Sequence, residues 1–261
     1  MEIPILHTDN LSIGYHTKNQ ETVVAHDVSV SLQKGKLVSL IGANGIGKST
    51  LLRTLTGIQK PLSGTVLLEN KLISDYSHLE LSRKLALVLT EKLPPSNLTV
   101  FELVALGRQP YTNWVGKMTP GDIAKVNEAL HLTSTFHLSA KRHFQISDGQ
   151  LQNVLVARTL AQDTPLIVLD EPTTHLDIQH KAALFRLLKT LSSETGKCIL
   201  FSTHDVEMAI QLSDEIIVMN NGKAIQDVPE NLIGNGTFDT LFPDESIVFD
   251  KQKLRFVFRG F

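Results

Sequence analysis

The segment Gly42-Ala-Asn-Gly-Ile-Gly47-Lys48-Ser49-Thr50 constrains this chain more than any other. It matches G-x-x-x-x-G-K-[ST], a loop whose glycines let backbone N–H groups curl around a phosphate where a Cβ would obstruct them. The flanks fit the motif. Leu37-Val-Ser-Leu-Ile41 is a compact apolar run that reads as a buried strand, and Lys48–Thr56 places Leu51, Leu52 and Leu55 on one helical face. A chance glycine-rich turn has no reason to stand between such a strand and such a helix. Lys48 would reach the β- and γ-phosphates as a point charge, and Ser49 would offer a hydroxyl to Mg²⁺. The helix start adds its donors and the positive end of its dipole. Asn44, Gly45, Gly47, Lys48, Ser49 and Thr50 are thus the expected nucleotide-binding set. The loop alone does not separate a kinase, a GTPase, a motor and a transport ATPase.

Around this unit the chain alternates between strand and helix. Two β-type runs, Ile5–Tyr15 and Val23–Leu32, precede it; Gly57 and Pro61 end the helix, and Gly64–Leu68 reads as a further strand. From Val100 to about Leu138 the periodicity is helical, with Pro94-Pro95 and Pro110 to Pro120 as punctuation, which suggests a helical insert in an α/β core. After Ile146 the alternation returns: helix Leu151–Ala161, strand Leu166–Leu169, helix Lys181–Leu191, strand Cys198–Ser202. Such alternation argues a mostly parallel sheet covered on both faces. Glu215–Met219 and Lys223–Val228 flank Asn220-Asn221-Gly222 as a hairpin, and Ser246–Asp250 with Leu254–Phe258 reads as another around Lys251–Lys253. The expected divisions are 1–90, an N-terminal β region and the first part of the core; 91–146, the insert; 147–228, the second part of the core; and 229–261, a C-terminal β extension.

Composition narrows the classes. The 261 residues are 42% hydrophobic, enough for a sizeable core, and Lys+Arg 25 against Asp+Glu 27 lacks the basic excess of a nucleic-acid-binding domain. Cys198 is the single cysteine, so neither an intrachain disulfide nor a cysteine-based zinc site is available. MEIPILHTDN shows no secretory pattern, and no apolar run approaches the ~18 residues a membrane span needs. The expectation is a soluble, cytoplasmic chain whose membrane role is borrowed from a partner.

Leu166-Ile-Val-Leu-Asp170-Glu171 delivers two acids at the C-terminal end of an apolar strand, the end where ligands of α/β sheets gather. Asp170 would hold Mg²⁺, directly or through water, and Glu171 would orient the attacking water. A strand ending in solvated acids is a common alternative; the phosphate loop in the same chain favours the functional reading.

Between these motifs lies Ile146-Ser147-Asp148-Gly149-Gln150, and after them Thr174-His175-Leu176-Asp177 and Ser202-Thr203-His204-Asp205. Together they resemble the signature loop, D-loop and switch histidine of ATP-binding cassette (ABC) proteins, in that family's order. Ala105-Leu-Gly-Arg-Gln-Pro-Tyr111 and Glu171–Asp177 resemble the ATP-binding subunits of importers for iron siderophores, haem and cobalamin. The resemblance implies an α/β fold with a P-loop NTPase (RecA-like) core, an antiparallel β region and an inserted helical subdomain. It implies an ATPase in which two copies sandwich two ATP molecules. Ser147, Gly149 and Gln150 of one copy would meet the γ-phosphate held by the other, with Asp177 in the D-loop and His204 at the γ-phosphate. It also implies integral membrane permease subunits as partners, an external substrate-binding protein acting indirectly, and a place on the inner face of the plasma membrane. Tyr15 stands where such proteins set an aromatic ring against adenine, or else packs on the core as a strand-end tyrosine.

Three departures stand out. Asp148 replaces a glycine of the usual signature; its carboxylate either faces the triphosphate and repels it or, the preferred reading, points outward and stabilises the helix start. Thr90 or Glu91 stands where the family has a metal-sensing glutamine. Leu151-Gln152-Asn153 lacks the family's arginine. Of the ten histidines, His131, His137, His175 and His180 lack the spacing of metal ligands. Tyr111 and Trp114 suit either core or a docking surface, and Phe256, Phe258 and Phe261 read as packing. The rivals to a transport role are a soluble cassette protein and a slow ATP-gated interaction module.

Overall fold

The computed structural model describes residues 3–17, 20–89, 96–174, 176–241 and 246–259. Thr90, Glu91, Pro94, Pro95, His175 and Phe261 lie outside them. In chain order the elements are β1 (Leu6–Thr17), β2 (Gln20–Val28), β3 (Ser31–Leu32), β4 (Leu37–Ile41), α1 (Lys48–Leu55), β5 (Ser63–Leu68), β6 (Lys71–Leu72), α2 (His78–Ser82), β7 (Leu85–Val88), α3 (Val100–Ala105) and α4 (Pro120–Leu132). There follow α5 (Asp148–Ala161), β8 (Leu166–Leu169), α6 (Ile178–Thr195), β9 (Cys198–Ser202), α7 (Val206–Leu212), β10 (Glu215–Asn220), β11 (Lys223–Asp227), α8 (Pro229–Gly234), β12 (Ile247–Asp250) and β13 (Arg255–Phe258).

The central sheet runs β11-β10-β4-β9-β8-β7, parallel except for the β11 edge. Strands β4, β8 and β9 are buried along their whole length, which is why they read as continuous apolar runs rather than alternating ones. Their side chains still alternate in direction. Leu166 and Val168 join one core with α1, while Ile167 and Leu169 join the other with α3 to α6. The first core also holds the apolar side of an antiparallel sheet, β2-β1-β5-β6 with β3 on β1, so α1 lies between two sheets. Each fully buried Leu or Phe here contributes roughly 1.5–3 kcal/mol.

The helical insert is α3, a 3₁₀ stretch over Leu106–Tyr111 and α4; it packs on α5, so the division placed after residue 146 cuts through one packed unit. The Ala105–Tyr111 motif explains that packing. A Cβ on Gly107 would stand 2.3 Å from the Arg158 carbonyl oxygen, so only glycine allows the approach. Next to it, buried Arg108 donates to Asp122 Oδ1 (2.9 Å) and to the Ala161 carbonyl (2.7 Å), with its guanidinium 4.0 Å over the Tyr111 ring. Tyr111 is therefore packed, whereas Trp114 is 97% exposed.

The C-terminal region differs from a pure β extension. It opens with α8 and a 3₁₀ turn at Thr237–Thr240, and only then forms the β12–β13 hairpin. Phe238, Leu241 and Phe249 anchor it on α7, with Phe256 packed at the margin and Phe258 exposed. The sequence reading also passed over α2, α7 and β7: each is so short that no period develops, and β7 exists as a strand through its pairing with β8.

Candidate functional site

Register brings the site together. Val38 pairs with Leu200 and Leu40 with Ser202, while Leu169 pairs with Phe201. The C-terminal ends of β4, β8 and β9 are therefore level, and the phosphate loop, the acid pair and the switch segment leave the sheet side by side. They enclose a cavity of about 520 Å³ lined by Asn44, Gly45, Glu171, Thr173, Thr174, Lys181, Thr203, His204 and Asp205. That is ample for a nucleotide's phosphates.

In the phosphate loop, Gly47 is the N-cap of α1 at φ 111°, and a Cβ there would stand 2.1 Å from Val24 Cγ1. No side chain caps this helix, so its first N–H groups face the loop's interior. Lys48 is buried and donates to the carbonyls of Gly42 (3.1 Å) and Ala43 (3.3 Å). Burial pushes its ammonium below the usual lysine range, and the Glu171 and Asp170 carboxylates partly oppose that shift. Ser49 lies in the first turn of α1. Thr50, buried one residue on, is hydrogen-bonded through its hydroxyl to Tyr15 Oη. Tyr15 as a whole is 48% exposed.

The acid pair is held by a neighbouring strand. Ser202 Oγ donates to Asp170 Oδ1 (2.7 Å) and accepts the Glu171 backbone N–H (2.8 Å). Glu171 has φ 48°, a left-handed conformation that costs of order 1–3 kcal/mol in a non-glycine residue. Its Oε1 lies 2.7 Å from His204 Nε2, and His204 Nδ1 lies 3.4 Å from Lys48 Nζ. An ammonium only donates, so Nδ1 accepts and Nε2 carries the proton that Glu171 receives. Thr174 Oγ1 donates to Glu171 Oε2 (3.3 Å); Asp205 joins Thr173 (3.3 Å) and Lys181 (3.1 Å).

The remaining motif residues form a separate surface. Ser147 caps α5, accepting the Gln150 N–H (3.3 Å), while Gln150 Oε1 accepts the Ser147 N–H (3.1 Å). Asp148 is exposed in the first turn of α5. Gly149 faces His180: a Cβ there would stand 2.7 Å from His180 Cδ2. His180 in turn is tied to Asp177, the N-cap of α6, through its N–H (2.9 Å) and its ring Nδ1 (2.8 Å). Those bonds, the backbone one first, hold the Asp177 carboxyl below its usual range. Signature loop and D-loop are thus joined to each other, and among the described residues no hydrogen bond joins them to the phosphate loop. His131 stacks on Phe136 and His143 bonds to Ser96; among the described residues no three His, Cys, Asp or Glu side chains are grouped to hold a metal.

Sequence reasoning missed Ser202, Thr173 and Lys181. Ser202 had a signal: a hydroxyl closing an otherwise apolar strand, beside the strand that carries the acids.

A parallel sheet with a phosphate loop, an acid pair and a histidine at one edge defines a P-loop nucleotide-binding ATPase. Comparison narrows the class. The family described as "ABC transporter" matches residues 25–174, more than half of the chain. The achromobactin transport ATP-binding protein of Dickeya dadantii is 37% identical over 233 residues, 89% of this chain and 85% of that one. The iron(3+)-hydroxamate import ATP-binding protein of Bacillus subtilis is 36% identical over 222 residues, covering 85% and 81%. A dimeric bacterial ABC transporter cassette superposes with a TM-score of 0.73 at 28% identity, over 86% of this chain and 98% of that one. The chain belongs to the ABC transporter family, as one of its ATP-binding subunits, which bind ATP and are ATPases. The rival reading as a soluble, non-transport cassette finds no support in these relatives. Among the described residues no helix is long and apolar enough to cross a membrane.

Proposed function

We propose that this chain powers an importer for a chelated-metal substrate of the iron-siderophore, haem or cobalamin type; the names of its relatives favour the siderophore. Two copies close head to tail on two ATP molecules, dock on integral membrane permease subunits at the inner face of the plasma membrane, and reset by hydrolysis. An external substrate-binding protein delivers the cargo on the far side.

The site supports the following roles. Backbone N–H groups of Asn44 to Thr50 and the Lys48 ammonium bind the phosphates, and Tyr15 lies beside them for the adenine. Ser49 and Asp170 offer the hard oxygen donors that Mg²⁺ takes, which holds one or two protein oxygens and fills its shell with phosphate and water. When bound, Mg²⁺ would supply charge neutralisation for the phosphates. Glu171 accepts a proton from the attacking water, and His204, a donor to Glu171, fixes where that carboxylate points. Ser147, Gly149 and Gln150 serve the opposite copy's ATP, with Asp177 at the same seam.

The observation that carries the ATPase part of this reading is the chain Glu171–His204–Lys48, which runs from the cavity lining to the buried lysine of the phosphate loop. Its test is Glu171→Gln, which should keep ATP binding, lower turnover by about 10²–10⁴-fold, and let an ATP-dependent dimer accumulate in size measurements. A variant that hydrolyses at the wild-type rate would remove Glu171 from the role of base.

A further inference from the structure

The two acids of the site meet at one side-chain atom, Ser202 Oγ. We propose that Ser202 is a positioning residue for ATP hydrolysis: a single hydroxyl sets the spacing between the metal-side carboxylate of Asp170 and the backbone from which Glu171 reaches the attacking water. The inference rests on the roles given to those two acids above.

The polarity of the arrangement is unambiguous. A backbone N–H can only donate, so the Glu171 amide gives its hydrogen to Oγ at 2.8 Å. The single hydroxyl proton is then directed to Asp170 Oδ1 at 2.7 Å, a short, charge-assisted bond. Ser202 itself is fully buried at the end of an apolar strand, where water does not substitute for it. Strand formation does not require serine here, since the other four residues of β9 are Cys, Ile, Leu and Phe. Packing alone would be met by alanine. What serine adds is the pair of bonds, and both go to consecutive acids.

The consequence reaches past the acids. Asp170 has a backbone anchor in the neighbouring strand, its N–H donating to the Val88 carbonyl at 2.8 Å, whereas the Glu171 amide is anchored by a side chain. Glu171 sits at φ 48°, away from the ordinary basins, so a released amide would allow the residue to relax. Its carboxylate would then leave His204 Nε2, and the link from His204 to Lys48 would loosen with it. Displacement of a reacting group by about 1 Å is enough to slow catalysis about a hundredfold.

The test compares wild type, Ser202→Ala, Asp170→Asn and Glu171→Gln in the full chain. Steady-state ATP turnover gives kcat and KM; fluorescence titration gives ATP affinity in EDTA and in Mg²⁺; a thermal melt checks folding. For Ser202→Ala we expect kcat to fall by about ten- to a hundredfold with KM changed by less than about threefold. ATP affinity in EDTA should stay at the wild-type value, while the gain in affinity on adding Mg²⁺ shrinks. Wild-type kcat and Mg²⁺ gain in Ser202→Ala, with both acid variants inactive, would overturn the positioning role and leave the roles of the acids standing. A joint loss of Tm and of affinity in EDTA would assign Ser202 to packing and equally overturn it. Wild-type turnover in the acid variants would instead remove the reading on which the inference rests.

Discussion

Two helices in this protein begin at an expected phosphate contact, and they begin differently. Helix α1 starts at Gly47 in a left-handed conformation, with no side chain capping it and Lys48 buried beneath the loop. Helix α5 starts at Ser147 with a reciprocal capping box, Ser147 to the Gln150 N–H and Gln150 to the Ser147 N–H. The orphan donors of α1 are left for a ligand, while those of α5 are partly satisfied by the chain's own side chains. On the proposed function, the α1 end is the nucleotide's first contact, built within one chain. The α5 end is closed by its own capping box, and on the proposed function an anion would have to compete with Ser147 for its N–H groups. The difference suits a sandwich in which each nucleotide binds first to one copy and recruits the second afterwards.

Removing the α1 contact should have the largest effect. Lys48→Ala deletes charge-assisted bonds worth about 3 kcal/mol, so ATP affinity measured by calorimetry should fall about a hundredfold or more. A small loss would mean that α1 is not the primary site, and the contrast would collapse. Ser147→Ala should come next, with the opposite profile. ATP affinity of the isolated chain stays within about twofold of wild type, while turnover and the ATP-dependent dimer drop roughly tenfold, the effect of about 1.4 kcal/mol. The same variant loses about 1 kcal/mol of stability with its cap, visible in denaturant titration. If instead Ser147→Ala weakened ATP binding to a single chain, the two helix ends would not be divided between copies. Asp148→Gly should have the smallest effect: an exposed carboxylate at a helix start contributes about 0.3–1 kcal/mol through the dipole. Turnover should therefore hardly move. A rise of tenfold would show the carboxylate facing the triphosphate across the dimer, with its repulsion relieved.

The same pair of helices shows how far the sequence could be read. Everything local about α1 was legible, because a phosphate loop needs a strand, glycines and a lysine in fixed order. The cap on α5 was present in the letters as Ser-x-x-Gln, yet it read only as a family motif, since a capping box and an anion site use the same residues. Tyr15 was left between two readings; the residue is about half exposed, with its hydroxyl on Thr50 at the start of α1. Trp114 and Phe258 proved exposed, and a lone aromatic in a loop or an edge hairpin carries no pattern that says which way it faces.

By itself, the sequence determined the class of fold, the order of the motifs and the chemistry each could offer, because those depend on residue type and on spacing along the chain. Tertiary structure alone decided which groups meet. Ser202 lies 32 residues from Asp170 and His204 lies 33 from Glu171, and only the level register of β8 and β9 brings them within hydrogen-bond reach. It also decided that the Gly149 side of the signature loop rests on His180 and so joins the D-loop rather than the phosphate loop. The physical reason is that strand pairing is non-local: a periodic run announces a strand, but which neighbour it pairs with and in what register is settled by the burial of both faces at once.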